Sequence, residues 1–372
     1  MQYFDIPSIS SIKSLARFRG SGCVSIALRA TPVTQDVQMA RIAFGNLASD
    51  ALAQVGDDGL STAAKRNLES NLADIAEDDD FWQFQSESLV VFATPDKVRT
   101  SRLPNHLTDD VQVSDRFHLS PLLRAVAFPH GAIILVLARG SVRVVEMIGN
   151  LPAGEVRIPG MPDSAASVAG KASISGRSPK GRLQGSEGQK VHLLAYSRRI
   201  DEAMRPYLAG REEPVIVVAN EPLRSIFLSV CSIDNIIDGQ PTGVREDSPN
   251  LEIAAAAREL LDSAYASEVQ AFLATYASEA ARRRATSKVS DIARSSTFGG
   301  VDTLLINMDA NLPGIIDEED GGVRHEDDGA ASYDILSEIA CRTLLTGGSV
   351  FSVRQDDLPG PEPLAAILRH PV

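Results

Sequence analysis

A chain of 372 residues is longer than one typical core and fits two or three domains of roughly 100 to 200 residues each. Its 44% hydrophobic and 23% charged content is that of a globular protein and excludes a wholly disordered chain. The formal net charge of -13 argues against indiscriminate nucleic-acid binding by the whole surface, and leaves a local basic patch open.

No run approaches the roughly 18 apolar residues of a membrane helix, and the start MQYFDIPSIS lacks the basic-then-apolar order of a signal peptide. The chain is therefore expected to be cytoplasmic, with no membrane partner. Cys23, Cys231 and Cys341 stand far apart in apolar contexts, which offers neither a disulfide framework nor a paired-cysteine metal site.

In chain order, Ser8 to Phe18 can form a short helix, and Val24 to Leu28 alternates as a strand before Thr31-Pro32. Asp36 to Val55 and Ser61 to Ile75 carry helical apolar spacing on either side of a Gly-Asp-Asp-Gly break, with Ser61 or Thr62 as N-cap. Asp78-Asp79-Asp80 closes this pair as a solvated turn, without the spaced oxygen ligands of a cation loop. Phe81-Trp82 follows, and Ser88 to Ala93 reads as a buried strand, giving a first α/β domain that ends near residue 115.

The next domain enters at Phe117-His118-Leu119-Ser120-Pro121, which starts a helix through Ala125. Ala132 to Leu137 and Val142 to Met147 form a hairpin across Ala138-Arg139-Gly140-Ser141, and Glu155 to Pro159 adds a third strand. A long aperiodic loop then runs to Gln189, and an amphipathic helix from His192 leads to Pro214 to Ala219, read as a central strand. Leu223 to Val230 is helical. Beyond about residue 250, two helices, Leu251 to Ala264 and Glu268 to Arg284, and a shorter one, Val289 to Ser295, precede a last α/β domain. In it, strands Val301 to Ile306 and Ser349 to Val353 flank a helix from Ser332 to Leu345, whose Asp334, Glu338 and Arg342 are expected to face outward and which Gly347-Gly348 caps. The acidic stretch from Asp317 to Asp328 centres on Asp320-Gly321-Gly322 and reads as a hairpin turn. His118, His130 and His192 have no second ligand at helical metal spacing, so no metal or other cofactor is expected.

The charge is concentrated between Lys171 and Arg211. Lys171, Arg177, Lys180, Arg182, Lys190, Arg198, Arg199, Arg205 and Arg211 face only Glu187, Asp201 and Glu202 there, nine basic residues against three acidic. Gly181, Gly185 and Gly188 permit close backbone approach to a partner, and the helix after them places Arg198, Arg199, Asp201, Glu202 and Arg205 mostly away from its apolar side. Few large apolar residues lie between Lys171 and Gln189 to anchor the segment, which predicts a mobile loop on a rigid stalk.

Taken in sequence, these marks resemble the bacterial relatives of the archaeo-eukaryotic class I peptide-chain release factors and of Pelota. They are the early strand Val24 to Leu28, Phe81-Trp82 with Leu89-Val90-Val91-Phe92, the Phe117 to Leu123 entry, Asp334-Ile335-Leu336 through Gly347-Gly348, and the ending Leu364 to Arg369. The resemblance covers nearly the whole chain. It implies an α/β, three-domain release-factor-like architecture with a central mixed sheet in each of 1–115, 116–249 and 250–372.

In the release factors a Gly-Gly-Gln loop ahead of a basic helix serves attack of water on the ester joining a nascent peptide to tRNA. Gly188 and Gln189 match that motif, which implies a catalytic role for them, and Lys171, Arg177, Lys180, Arg182, Lys190, Arg198, Arg199 and Arg205 would contact RNA. The implied partners are the ribosome, rRNA or tRNA, and a translational GTPase, in translation and ribosome rescue. Glu187 replaces the family's first glycine, adding a negative charge among RNA phosphates and reducing backbone freedom. Ser11-Ile12-Lys13-Ser14 approaches the family's stop-codon motif but precedes the first strand, so no codon reading is implied. Two readings stay open: ester hydrolysis through Gly188 and Gln189, and RNA or ribosome binding without chemistry.

Overall fold

The computed structural model describes every residue except 1–4, 6, 34–35, 56–59, 128–130, 149–152, 169–185, 210, 212, 308, 326–331 and 372. The fold is α/β, in two compact units: residues 1–128 with 269–372, and residues 129–268.

In the first part, α1 (Ile9–Ala16) precedes β1 (Cys23–Arg29), α2 (Val37–Gln54), α3 (Thr62–Glu77) and α4 (Asp79–Gln83). Three strands, β2 (Ser88–Ala93), β3 (Val98–Leu103) and β4 (Asp110–Ser114), and helix α5 (Ser120–Ala127) complete it. The sheet order is β3-β2-β1-β4, and it is antiparallel at every pairing, where a mixed sheet was expected. Ser61 caps α3, accepting a hydrogen bond from the Ala64 N–H. The aspartate triplet opens a helix instead of closing one: Asp78 caps α4 through the Phe81 N–H, and Asp79 pairs with Arg41 at 2.7 Å.

The middle unit contains β5 (Gly131–Leu137), β6 (Val142–Ile148), β7 (Gly154–Val156), α6 (Ser186–Leu208), β8 (Val215–Ala219) and α7 (Leu223–Leu228). Helix α8 (Asn250–Ala280) starts in it. The sheet order is β7-β6-β5-β8, so β8 is an edge strand, parallel to β5, and not the central strand expected. Its continuous apolar run is still explained, because both faces are covered. Ile133, Leu135, Val215 and Val217 pack with Leu193, Tyr196, Ile200 and Met204 of α6. Ile134, Val136, Ile216 and Val218 pack with Ile253, Ala257 and Leu261 of α8. The two helices expected around residues 251–284 are one continuous α8, since the supposed break, Tyr265-Ala266-Ser267, holds neither glycine nor proline to interrupt it.

The last part adds β9 (Ala285–Thr286), α9 (Val289–Thr297), β10 (Val301–Ile306), β11 (Pro313–Ile316), β12 (Val323–His325), β13 (Tyr333–Asp334), α10 (Ile335–Leu345), β14 (Ser349–Ser352) and β15 (Leu364–Leu368). One sheet runs β14-β10-β15-β9 and a small one β12-β11-β13. The mixed character expected is present here, β14 lying parallel and β15 antiparallel to β10. Asp320-Gly321-Gly322 forms the expected turn between β11 and β12. Gly347, at φ +79°, ends α10 in the left-handed conformation that glycine adopts without a Cβ penalty.

In the unit of residues 1–128 and 269–372, α1 and α5 share a core with the last part. Ile12, Leu15, Leu119, Leu122 and Leu123 lie in one cluster with Leu304, Ile306, Ile335, Leu336 and Ile339. A charged cluster crosses the same seam. Asp334, Glu338 and Arg342, expected to face outward, are buried. Glu338 accepts hydrogen bonds from Arg19 Nη2 and Arg342 Nε, both at 2.8 Å, and pairs with Arg116 at 2.9 Å. Glu318 pairs with Arg116 and Arg342 at 3.1 and 3.0 Å. Burial works against the Arg116 charge, but Asp115 and Glu338 outweigh it and hold the guanidinium above its ordinary pKa.

Cys23 and Cys341 are buried and Cys231 half-buried, all as free thiols; burial pushes Cys23 up to about 12. Among the described residues no helix is long and apolar enough to cross a membrane, and no group of His, Cys, Asp and Glu is arranged to hold a metal ion.

Candidate functional site

The candidate site lies at the start of α6, and the sequence builds it from three elements. Tyr196, fully buried, donates its hydroxyl to the carbonyl of Ala138 at 3.0 Å, with that of Ser141 at 3.2 Å. Burial pushes this phenol up to about 12, so it stays a donor across the physiological range. The bond holds the β5–β6 turn, and Arg139 in it, against the helix. On the other side, Leu193 of α6 and Leu223, Ile226 and Phe227 of α7 share the core of the middle unit.

Between these elements lies a cavity of about 470 Å³ lined by Arg139, Gln189, Lys190, Leu193, Pro222, Ser225, Ile226 and Ser229. Gln189, Lys190 and Arg139 are exposed. Gly188 and Gln189 belong to the first turn of α6, whereas the sequence reading has them on a loop ahead of a helix starting at His192. A helical residue has negative φ, so the left-handed freedom of glycine is not drawn on at 188. The Gly188 N–H instead falls among the first backbone donors of the helix, which have no intrahelical acceptor.

The basic residues divide into three groups. Lys171, Arg177, Lys180 and Arg182 lie outside the described residues, as does the stretch 171–185 expected to be mobile. Lys190 and Arg198 are exposed. Arg199 pairs with Glu202 at 3.0 Å. Arg205 binds Asp201 through Nε and Nη2 at 3.1 and 2.5 Å and the Ser232 hydroxyl at 3.0 Å. Arg211 pairs with Glu146 at 2.6 Å and stacks over Tyr207 at 4.3 Å. Asp201, expected on the polar side, is 1% exposed. Its carboxylate accepts from the Ser232 N–H at 2.8 Å and the Ser232 hydroxyl at 3.0 Å. Burial raises its pKa, but these donors and Arg205 overcome that and hold it below the usual carboxylate range.

The lining residues that the motif did not include are Arg139, Ser225 and Ser229. A lone arginine in a hairpin turn, a serine within a short apolar helix and one at its end carry no signal in sequence; only the Tyr196 bond and the α6–α7 packing bring them to Gln189.

Residues 129–267 match the model of Bacterial archaeo-eukaryotic release factor family 11. Over these residues the resemblance to the bacterial relatives of the release factors read from the sequence is borne out. No curated protein matches the chain. Among solved structures it is similar to a ribosome-bound archaeal Pelota in a model with ABCE1, at 16% identity and TM-score 0.40 over 77% of this chain and 78% of that one. It is similar to S. cerevisiae Dom34, a translation termination-like factor, at 12% identity and TM-score 0.40 over 74% of each chain. An archaeal translation termination factor matches at 15% identity and TM-score 0.21 over 98% of each. At these scores none of the three assigns a role to a residue of this chain.

Proposed function

From the relationship of residues 129–267 to the bacterial archaeo-eukaryotic release factors, we propose that this chain is a ribosome-associated release- or rescue-factor-like protein of the cytoplasm. It hydrolyses the ester joining a nascent peptide to tRNA, with Gly188 and Gln189 at the reacting end. The observation that carries this reading is the position of the Gly-Gln pair, inside the matched residues and in the first turn of a 23-residue helix. The match supports a translation-related role, and the pair's position supports the chemistry.

Water adds to the ester carbonyl, negative charge grows on the carbonyl oxygen, and collapse of the adduct breaks the bond from the carbonyl carbon to the ribose oxygen, which takes up the proton that the water gives up. The Gln189 carboxamide can accept a hydrogen bond from the attacking water, and the Gly188 N–H, free of an intrahelical acceptor, can donate to the growing charge. Lys190 and Arg198 face solvent for RNA phosphates, joined by Lys171, Arg177, Lys180 and Arg182. A translational GTPase delivers the protein, and the segments 1–115, 116–249 and 250–372 act as its three functional parts.

The second reading, RNA or ribosome binding without hydrolysis, is favoured by Glu187 in place of a glycine and by the helical backbone at Gly188. A peptidyl-tRNA hydrolysis assay on ribosomes separates the two. Hydrolysis that falls about a hundredfold or more in Gln189→Ala, with ribosome binding within twofold of the parent chain, is expected. No hydrolysis by the parent chain above ribosomes alone leaves only the binding reading.

A further inference from the structure

The cavity beside Gln189 has a chemical division that a simple basic surface lacks. Its lining includes donors: Gln189 and the exposed cations Arg139 and Lys190, for which no acceptor is found among the described residues. It also includes two hydroxyls whose protons are already committed. Ser225 donates to Glu221 Oε2 at 2.6 Å and Ser229 to the Ile226 carbonyl at 2.7 Å, so both present oxygen lone pairs to the cavity. The rest of the lining is aliphatic, from Leu193, Pro222 and Ile226.

We infer that this cavity binds one nucleoside monophosphate unit, the end of a single RNA strand, and so acts as the docking pocket for the substrate of the proposed reaction. Arg139 and Lys190 hold the phosphate, the serine oxygens accept from ribose hydroxyls or an exocyclic amine, and the apolar lining supports the base. A volume of about 470 Å³ is in the range of small-ligand sites and larger than a bare anion needs. The Glu221 carboxylate beside Ser225 repels a second anionic group, which selects a monophosphate over a polyphosphate. The assignment rests on the RNA-directed reading above, and its test does not depend on ester hydrolysis.

Titration calorimetry of the full chain with adenosine 5′-monophosphate, uridine 5′-monophosphate, adenosine, inorganic phosphate and a phosphoserine peptide decides it. Both mononucleotides are expected to bind at least about tenfold more tightly than adenosine or phosphate alone, because each half of the ligand has its own partners. Arg139→Ala with Lys190→Ala should weaken mononucleotide binding about tenfold or more and flatten its salt dependence, while an unchanged far-ultraviolet circular dichroism spectrum shows that the variant is folded. Phosphate or phosphopeptide binding as tight as the mononucleotides, mononucleotide binding unaffected in the double variant, or no mononucleotide binding up to millimolar concentration overturns the assignment. Mononucleotide binding by a chain that hydrolyses no ester leaves the pocket in place and removes the proposed hydrolysis. Hydrolysis without mononucleotide binding does the reverse.

Discussion

Asp201 and Tyr196 show how single polar groups fix the stalk that carries Gln189. Asp201 is buried, yet its folded pKa lies below 3.8 because Ser232 and Arg205 donate to it. A carboxylate depressed on folding contributes stability that is fully present above its unfolded pKa and is lost as pH falls through the folded value. Asp201→Asn should therefore destabilise the protein at neutral pH by about 1–3 kcal/mol, the range for a buried partner left unpaired, and the deficit should shrink below about pH 3.8. Urea melts from pH 2.5 to 7 check this, and a deficit independent of pH would rule out the ionised tie. Tyr196→Phe removes only the hydroxyl that donates to Ala138. It should cost about 1 kcal/mol in thermal melts and shift the amide resonances of Ala138 and Arg139, since one intramolecular bond of that kind is worth roughly this much.

Along α6 the ion pairs decide which cations are free for RNA. Arg205 is held by Asp201 and Ser232 and Arg199 by Glu202, whereas Lys190 and Arg198 are exposed. Replacing Lys190 and Arg198 by Ala should reduce the slope of log affinity against log salt by about 1–2, and replacing Arg199 and Arg205 by less, since a cation already paired releases fewer counterions. Ribosome or RNA binding measured between 50 and 200 mM salt tests the order, and the Arg205 variant should in addition melt earlier. Most elements were legible because their signals are local: the Ser61 cap, the Ala138 to Ser141 hairpin and the apolar runs of β5 and β8 need only spacing and turn chemistry. β3 and β4 went unseen because Val98–Leu103 and Asp110–Ser114 are polar and owe their strand state to pairing with β2 and β1. The Gly188-Gln189 motif was legible, but not its helical backbone, since a glycine beside glutamate and glutamine carries no clear start signal. Asp201, Glu338 and Arg342 were misplaced for a different reason: a helical wheel separates polar from apolar and cannot show that a polar stripe is buried against distant arginines and serines.

At the scale of the whole molecule, the first and last parts of the chain are joined by both apolar and ionic contacts, and the ionic ones are the more fragile. Glu338 is 4% exposed and lies within 2.9 Å of guanidinium nitrogens from Arg19, Arg116 and Arg342, so its removal takes away the carboxylate that the three share and leaves the buried Arg116 and Arg342 with the more exposed Glu318. A buried ion pair is weak evidence for net stabilisation, but breaking one by deleting a single partner typically costs about 3–5 kcal/mol. Glu338→Ala should therefore destabilise the unit formed by residues 1–128 and 269–372 by about that amount. The middle unit has its own two cores, on opposite faces of the β7-β6-β5-β8 sheet, and none of their residues belongs to the Glu338 cluster. Local unfolding follows such cooperative units. Hydrogen exchange of the full chain should then show faster exchange in β1, β10 and α10 of the variant, with the amides of β5, β6 and β8 still protected as in the parent chain. Equal loss of protection in both sets would mean that the two units unfold as one, and that the Gln189 site depends for its stability on a carboxylate outside the middle unit.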